Sequence, residues 1–255
     1  MEIKTVVFDM GGTLEDVHYN RDIRKKAFPK MLEEMNRRGI VIPGDIDIVL
    51  DSILAGNAAY KTWSEKRQIE LPPPDIWADW NLRDFKVERS LIEPAAEELS
   101  YLWETTFFAR RLRPDAKDTL QALKNRGYQL GVISNTSSGT QVFRTLDEYG
   151  IRSYFECVVL SSLEGVRKPA KAIFDAALSA LGAKAETSAY VGDTLSRDVI
   201  GSKNAGYALA IQIRSFLTAA SDANVAEGSA QPDRLVSALG EIIGILDAEA
   251  GRAER

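Results

Sequence analysis

From about residue 113 onward, short runs of β-branched and apolar residues alternate with stretches of helical periodicity, and this alternation narrows the possible folds more than any other feature. The runs Gln129–Ser134, Cys157–Leu160, Ala189–Asp193 and Ala208–Ile213 read as strands, and helices are expected near 114–126, 139–149, 170–182, 196–205 and 234–247. These strands are apolar on both faces, so the sheet they form must be covered by helices on both sides. With the N-terminal run Ile3-Lys4-Thr5-Val6-Val7-Phe8 as a further strand, the expectation is an α/β protein with a doubly wound parallel sheet.

Residues 15–112 interrupt the alternation. They carry helical periodicity, all four tryptophans (Trp63, Trp77, Trp80, Trp103) and no convincing strand, which predicts a helical domain inserted after the first strand. The expected division is therefore a core of residues 1–14 and 113–255 and an insertion of 15–112, with hinges at Leu14–His18 and Ala109–Pro114. Pro72-Pro73-Pro74 punctuates the insertion, because proline lacks the N–H that a continuing helix needs. The tryptophans read as the insertion's own core, given the area each must bury. The Ala- and Ser-rich stretch Thr218–Gln231 reads as a surface loop.

Composition excludes several classes of function. A net charge of −5 over 255 residues, with Lys and Arg scattered, provides no basic field for a phosphate backbone, so nucleic acid is not an expected partner. The single cysteine, Cys157, lies in a strand-like run and reads as a buried structural thiol. No run approaches the ~20 apolar residues of a membrane span, and the N-terminal run is broken by Lys4 and ended by Asp9, unlike a signal peptide. The cytoplasm is the expected location and the membrane is not an expected partner.

In an open parallel sheet, ligands bind beyond the carboxyl ends of the strands. The first strand ends at Asp9, the second leads to Ser134-Asn135, the third leads through Glu164–Arg167 to Lys168-Pro169, and the fourth leads to Gly192-Asp193, with Asp198 five residues on. This set suits a phosphoryl group. A carboxylate such as Asp9 can act as nucleophile, and Mg²⁺ binds through one or two carboxylates plus substrate oxygens, which Asp9 and Asp193 would satisfy. Ser134 and nearby backbone N–H groups could hold phosphate oxygens, Lys168 could supply fixed positive charge, and Asp198 could orient Lys168 or a metal-bound water. The plainer alternatives are that Ser134 and Asn135 cap the helix starting near Ser138, and that Asp198 is a surface salt-bridge partner. His18, the only histidine, reads as solvated.

These four motifs, in this order, resemble those of the haloacid dehalogenase superfamily of hydrolases: Asp9-Met10-Gly11-Gly12-Thr13-Leu14, Ser134-Asn135, Lys168-Pro169, and Gly192-Asp193 with Asp198. The resemblance implies a Rossmann-like core, with the insertion in the place of the helical cap found in the subgroup containing phosphoglycolate phosphatase, β-phosphoglucomutase and the dehalogenases. It implies Asp9 as nucleophile, Lys168 and Ser134 as phosphate and charge stabilisers, with Asn135 beside them, and Asp193 as metal ligand together with Asp9 and the backbone carbonyl of Gly11. It further implies a cap that opens and closes over the strand edge and sets substrate choice through residues such as Tyr60, Lys61, Trp63 and Arg67.

Gly11 departs from the family pattern, since the family's phosphatases carry there the carboxyl that protonates the leaving oxygen. Three readings follow. The chain is a Mg²⁺-dependent phosphatase or phosphotransferase for a small phosphorylated metabolite, one that favours good leaving groups or borrows a carboxyl from Glu15, Asp16 or the cap. Alternatively, it is a dehalogenase or phosphonatase, relatives that also lack this acid, the latter using a cap lysine for which Lys25, Lys26, Lys61 and Lys66 are available. In the third reading it binds a phosphorylated ligand without turnover. The intact Gly192-Asp193 and Asp198 motif favours phosphoryl chemistry, because the dehalogenases need no metal.

Overall fold

The computed structural model describes residues 2–223, 225–226 and 228–253. Its centre is a six-stranded, all-parallel sheet in the order β5-β4-β1-β6-β7-β8. The strands are β1 (Thr5–Asp9), β4 (Gln129–Ser134), β5 (Cys157–Leu160), β6 (Ser188–Gly192), β7 (Leu209–Ile213) and β8 (Arg234–Val236). β1 alternates strictly: Val6 and Phe8 enter one core layer while Val7 enters the other. The first layer packs against α6 (Ala116–Asn125), α7 (Gln141–Glu148) and α12 (Glu241–Ala253), and the second against α9 (Lys171–Leu181). The doubly wound parallel α/β fold holds.

β1 is the switch point of the sheet. The chain runs outward from it on one side through β4 and β5 and on the other through β6, β7 and β8, which leaves a crevice at the carboxyl ends of β1, β4 and β6.

Between β1 and α6 lie the helices α1 (Arg21–Arg37), α2 (Ile46–Arg67), α3 (Pro73–Ile76), α4 (Arg89–Ile92) and α5 (Ala96–Thr106), gathered around a separate core. Asn20 caps α1 and Asp45 caps α2, each accepting backbone N–H groups of the first turn. α2 ends with Gln68 in the left-handed conformation, and Pro73 opens α3, where a missing N–H costs nothing. Trp77 and Trp103 are buried in this second core, whereas Trp63 and Trp80 are half-buried and stack near Tyr60.

Four expectations need correction. Residues 15–112 do contain strands: β2 (Glu15–His18) and β3 (Ala109–Leu112) pair antiparallel, so the two expected hinges form one ribbon. Region 234–247 begins with β8, and α12 starts only at Glu241. The helix expected at 196–205 begins as a π-helical turn, Leu195–Val199, before α10 (Ile200–Asn204). The expected loop 218–231 opens with a short helix, α11 (Thr218–Asp222), while α8 (Ser161–Glu164) follows β5. Cys157 is buried in β5 as expected, and burial pushes its thiol up to about 11.

Candidate active site

Asp9 closes β1 and is almost fully buried. Its Oδ1 accepts from Lys168 Nζ at 2.5 Å and its Oδ2 from Thr13 Oγ1 at 3.2 Å. Lys168 arrives from the far side of β4, and its Nζ also donates to Asp198 Oδ1 (2.7 Å), Tyr190 Oη (3.1 Å) and the Ile133 carbonyl (3.3 Å). Asn135 fixes it there: its Oδ1 accepts from Lys168 N at 2.9 Å and its Nδ2 donates to Lys168 O at 3.1 Å. Asn135 therefore positions the lysine instead of capping a helix; that task falls to Ser138, whose Oγ accepts from Gln141 N at 3.0 Å. Ser134, at the end of β4, lines the same cavity as Asp9, Gly11, Asn135, Lys168 and Asp198.

Asp198 is not at the surface. It is 1% exposed, and its Oδ2 accepts from Thr194 N (3.0 Å) and Thr194 Oγ1 (2.5 Å). Gly192 makes this approach possible, since a Cβ there would lie 2.3 Å from Asp198 Cβ. Gly12, at φ +95°, does the same for Asp193: a Cβ there would lie 2.3 Å from Asp193 Oδ2. Two glycines thus make room for the two acidic side chains, Gly12 in the turn after β1 for Asp193 and Gly192 at the end of β6 for Asp198.

The electrostatics are lopsided. Burial raises the pKa of Asp9 against the opposing charge of Lys168. Burial and the charges of Asp9 and Asp198 push Asp193 up to about 8. Burial would raise Asp198 too, but Lys168 and Arg197 outweigh it and hold the carboxyl below its usual range. Lys168 is pushed down by burial, yet Asp198 and Asp9 prevail and raise it. Asp193 Oδ2 accepts from Ser215 Oγ at 2.6 Å, whereas its Oδ1 is buried with no hydrogen-bond partner. Oxygens of Asp9, Asp193 and Asp198 lie within 4.8 Å of one another. An orphaned carboxylate oxygen among crowded, partly uncompensated acids fits a hard divalent cation held by oxygen ligands.

The place of the missing acid is not empty. A Cβ on Gly11 would lie 3.2 Å from Arg110 Nη1. That guanidinium donates to Glu15 Oε2 (2.9 Å), the Glu104 carbonyl (2.6 Å) and Glu104 Oε2 (2.9 Å). Glu15 is fully buried, with its Oε1 accepting from Tyr149 Oη at 2.9 Å, and Asp16 turns away to Arg111 and Arg113. Neither borders the cavity, so the two nearest substitutes expected from the sequence do not face it.

The cavity, about 220 Å³, lies between the strand ends and the helical insertion. The insertion is strapped to the core at two places. Residues 68–70 run antiparallel to 165–167, with Glu70 N donating to Gly165 O (3.0 Å), Arg167 N donating to Gln68 O (3.1 Å), and Glu70 Oε2 accepting from Arg167 Nη1 and Ser161 Oγ, both at 2.7 Å. On the other side, Glu97 and Glu104 of α5 accept hydrogen bonds from residues 137–140 ahead of α7. No helix among the described residues is long and apolar enough to cross a membrane.

Comparison with known proteins identifies the family. The haloacid dehalogenase-like hydrolase family matches residues 3–206. The glyceraldehyde 3-phosphate phosphatase of Pyrococcus furiosus is 32% identical over 204 residues, covering 80% of this chain and 78% of the relative. The enzyme of the same name from Methanopyrus kandleri is 36% identical over 215 residues, covering 80% and 81%. Among solved structures, a 2-haloacid dehalogenase from Pseudomonas syringae superposes with a TM-score of 0.67 at 20% identity over 97% of this chain and 100% of that one, which speaks for the fold alone. By its sequence match and its fold, the chain belongs to the haloacid dehalogenase-like hydrolases.

Proposed function

We propose that this hydrolase is a Mg²⁺-dependent phosphatase acting on a small phosphorylated metabolite through Asp9. The observation that carries the reading is the buried meeting of Asp9, Lys168 and Asp193, in which Asp193 keeps an unpartnered oxygen. In the first step, an oxygen of Asp9 bonds to phosphorus as the ester P–O bond breaks, giving an aspartyl phosphate and the leaving oxygen as an anion, which takes its proton from solvent. In the second, water attacks the same phosphorus, releasing inorganic phosphate and restoring the carboxylate. Lys168, oriented by Asn135 and Asp198, offers positive charge to the phosphoryl oxygens, and Ser134 with the backbone N–H groups after β4 supplies further donors. Asp9, Asp193 and the Gly11 carbonyl would hold the Mg²⁺, which would screen the acids and polarise the phosphoryl group. Residues 15–112 serve as the cap that closes over this step, with residues 1–14 and 113–255 as the core. A small metabolite fits a cavity of this size, and the relatives named as phosphatases favour that chemistry over carbon–halogen cleavage.

The test is phosphate release from a panel of acyl, sugar and aryl phosphates, with Mg²⁺ and with chelator. Metal-dependent release that falls by at least about 10³-fold in Asp9→Asn is expected, as for loss of a covalent nucleophile; equal release by the variant would sink the reading.

One observation favours a second reading, carbon–phosphorus cleavage through an imine. Lys61 borders the cavity with its side chain about half exposed, and partial desolvation, with the charges of Arg197, Arg167 and Arg24, pushes its ammonium down in spite of Glu65. Turnover of phosphonoacetaldehyde with borohydride inactivation lost in Lys61→Met would establish it.

A further inference from the structure

Most cations around the cavity are matched by carboxylates of the chain itself. Lys168 has Asp9 and Asp198, Arg167 has Glu70, and Arg110 has Glu15 and Glu104. Two cations on the insertion are matched less well: Arg24 by no carboxylate among the described residues and Lys61 by one long contact. Arg24, on α1, is half-buried, and its guanidinium carbon lies 4.6 Å from the ring centre of Tyr19 and 5.5 Å from that of Phe108. Its Nε is buried with no hydrogen-bond partner, and no carboxylate among the described residues pairs with it. Burial pushes its pKa down, the direction expected when a charge is desolvated without an opposing one. Lys61, on α2, has only Glu65 one turn on, at 3.8 Å, and feels the repulsion of Arg197, Arg167 and Arg24.

The aromatic faces of Tyr19 and Phe108 hold the Arg24 guanidinium without using its N–H groups, which leaves those donors for a ligand. The charges acting on Asp9 are chiefly those of Lys168, Asp198 and Arg197, whereas those acting on Lys61 are Glu65, Arg197, Arg167 and Arg24. Arg24 and Lys61 lie on α1 and α2 of the insertion, whereas Asp9 closes β1 of the core, so the two sets face the cavity from different parts of the molecule. Arg24 and Lys61 both line that cavity.

We propose that Arg24 and Lys61 form a second anion subsite, so that the substrate carries a phosphate or carboxylate at the end opposite the phosphoryl group delivered to Asp9. The assignment of the two ends rests on the phosphatase reading; the existence of the subsite does not. Bound anion would supply the charge these side chains lack, and a doubly anionic substrate would be favoured over a neutral-tailed one of equal size.

The experiment uses a three-carbon series: glycerol 3-phosphate with a neutral tail, 3-phosphoglycerate with a carboxylate, and propane-1,3-diol bisphosphate with a second phosphate. Dissociation constants are measured by calorimetry on the Asp9→Asn protein with Mg²⁺ present, and kcat/KM on the unsubstituted protein. At least one of the doubly anionic compounds should bind about tenfold or more tightly than glycerol 3-phosphate, the scale of a charge-assisted contact, and whichever gains more identifies the anion. Arg24→Met and Lys61→Met, which keep the apolar stems, should each remove most of that advantage, and Arg24→Lys should restore part of it. Equal affinities across the series, or an advantage that survives both methionine variants, would overturn the subsite. A preference lost in the variants, with no phosphate released from any compound, would leave the subsite standing and remove the phosphatase reading instead. If Arg24→Met does not fold, Lys61→Met alone decides.

Discussion

A carboxyl added at Gly11 would start beside a fixed guanidinium, its Cβ 3.2 Å from Arg110 Nη1 and 3.6 Å from Val17 Cγ2. Arg110 holds positive charge there but cannot surrender a proton at any working pH. The leaving oxygen therefore departs without a proton from this position, which favours substrates whose leaving groups are stable as anions. Gly11→Asp should fit with a small shift of Arg110, and the ion pair should keep the new carboxyl ionised. Its gain on alkyl phosphates is then about tenfold, short of the 10²- to 10⁴-fold of a working general acid. Comparing kcat/KM for alkyl and aryl phosphates checks this; a gain above a hundredfold on the alkyl ester would mean that Arg110 does not control the carboxyl. That Asp9, Ser134, Lys168, Asp193 and Asp198 lie at one edge of the sheet was legible because each ends or follows a strand whose carboxyl end the fold directs there. Arg110 and Arg24 were not, since each reaches the cavity from the insertion and nothing local distinguishes it from the other scattered arginines.

At the scale of elements, the sequence pattern was clearest where strands are buried on both sides and faintest where they are short. β2 reads Glu-Asp-Val-His, and its inward positions are Glu15 and Val17, so a charged residue masks the alternation until Arg110 and Tyr149 are seen to hold it. β8 is three residues long, too short for any period to show. The capping of α7 was hidden for a different reason: its cap acceptors include a carboxylate from another element. Glu97 Oε1 accepts from Ser138 Oγ (2.6 Å), Thr140 N (3.1 Å) and Thr140 Oγ1 (2.7 Å), and Oε2 accepts from Gly139 N (3.0 Å). These are N–H and hydroxyl donors at a helix start, where a carboxylate is also favoured by the helix dipole. Glu97→Ala should cost about 1–2 kcal/mol in denaturant unfolding. The neighbouring Glu98→Ala, which removes only a 3.7 Å surface contact to Arg144, should stay within about 0.5 kcal/mol. Equal losses would show that the cap contributes nothing.

Over the whole molecule, the question is what holds the insertion against the strand edge. Its root is the β2–β3 ribbon, paired from Glu15↔Leu112 to His18↔Ala109, which is stiffer than the two loose linkers expected and leaves any hinge few free dihedrals. Its far end is the strap of residues 68–70 against 165–167, with Glu70 fully buried between Tyr60, Ser161 and Arg167. Burial raises the Glu70 carboxyl and Arg167 is the largest opposing influence, so the strap depends on that arginine to keep a buried charge tolerable. In Arg167→Met the closed form would bury an uncompensated carboxylate, at a cost of about 3–5 kcal/mol. Opening would return Glu70 to water and avoid much of that cost, shifting the balance toward the open form by on the order of a hundredfold or more. Solution scattering of the ligand-free variant should show a larger radius of gyration than the parent, and saturating ligand should bring it back, because ligand contacts to both parts favour closure. Unchanged scattering, with the whole cost appearing as a lower global unfolding midpoint, would mean that insertion and core move as one rigid body and that ligand enters without opening.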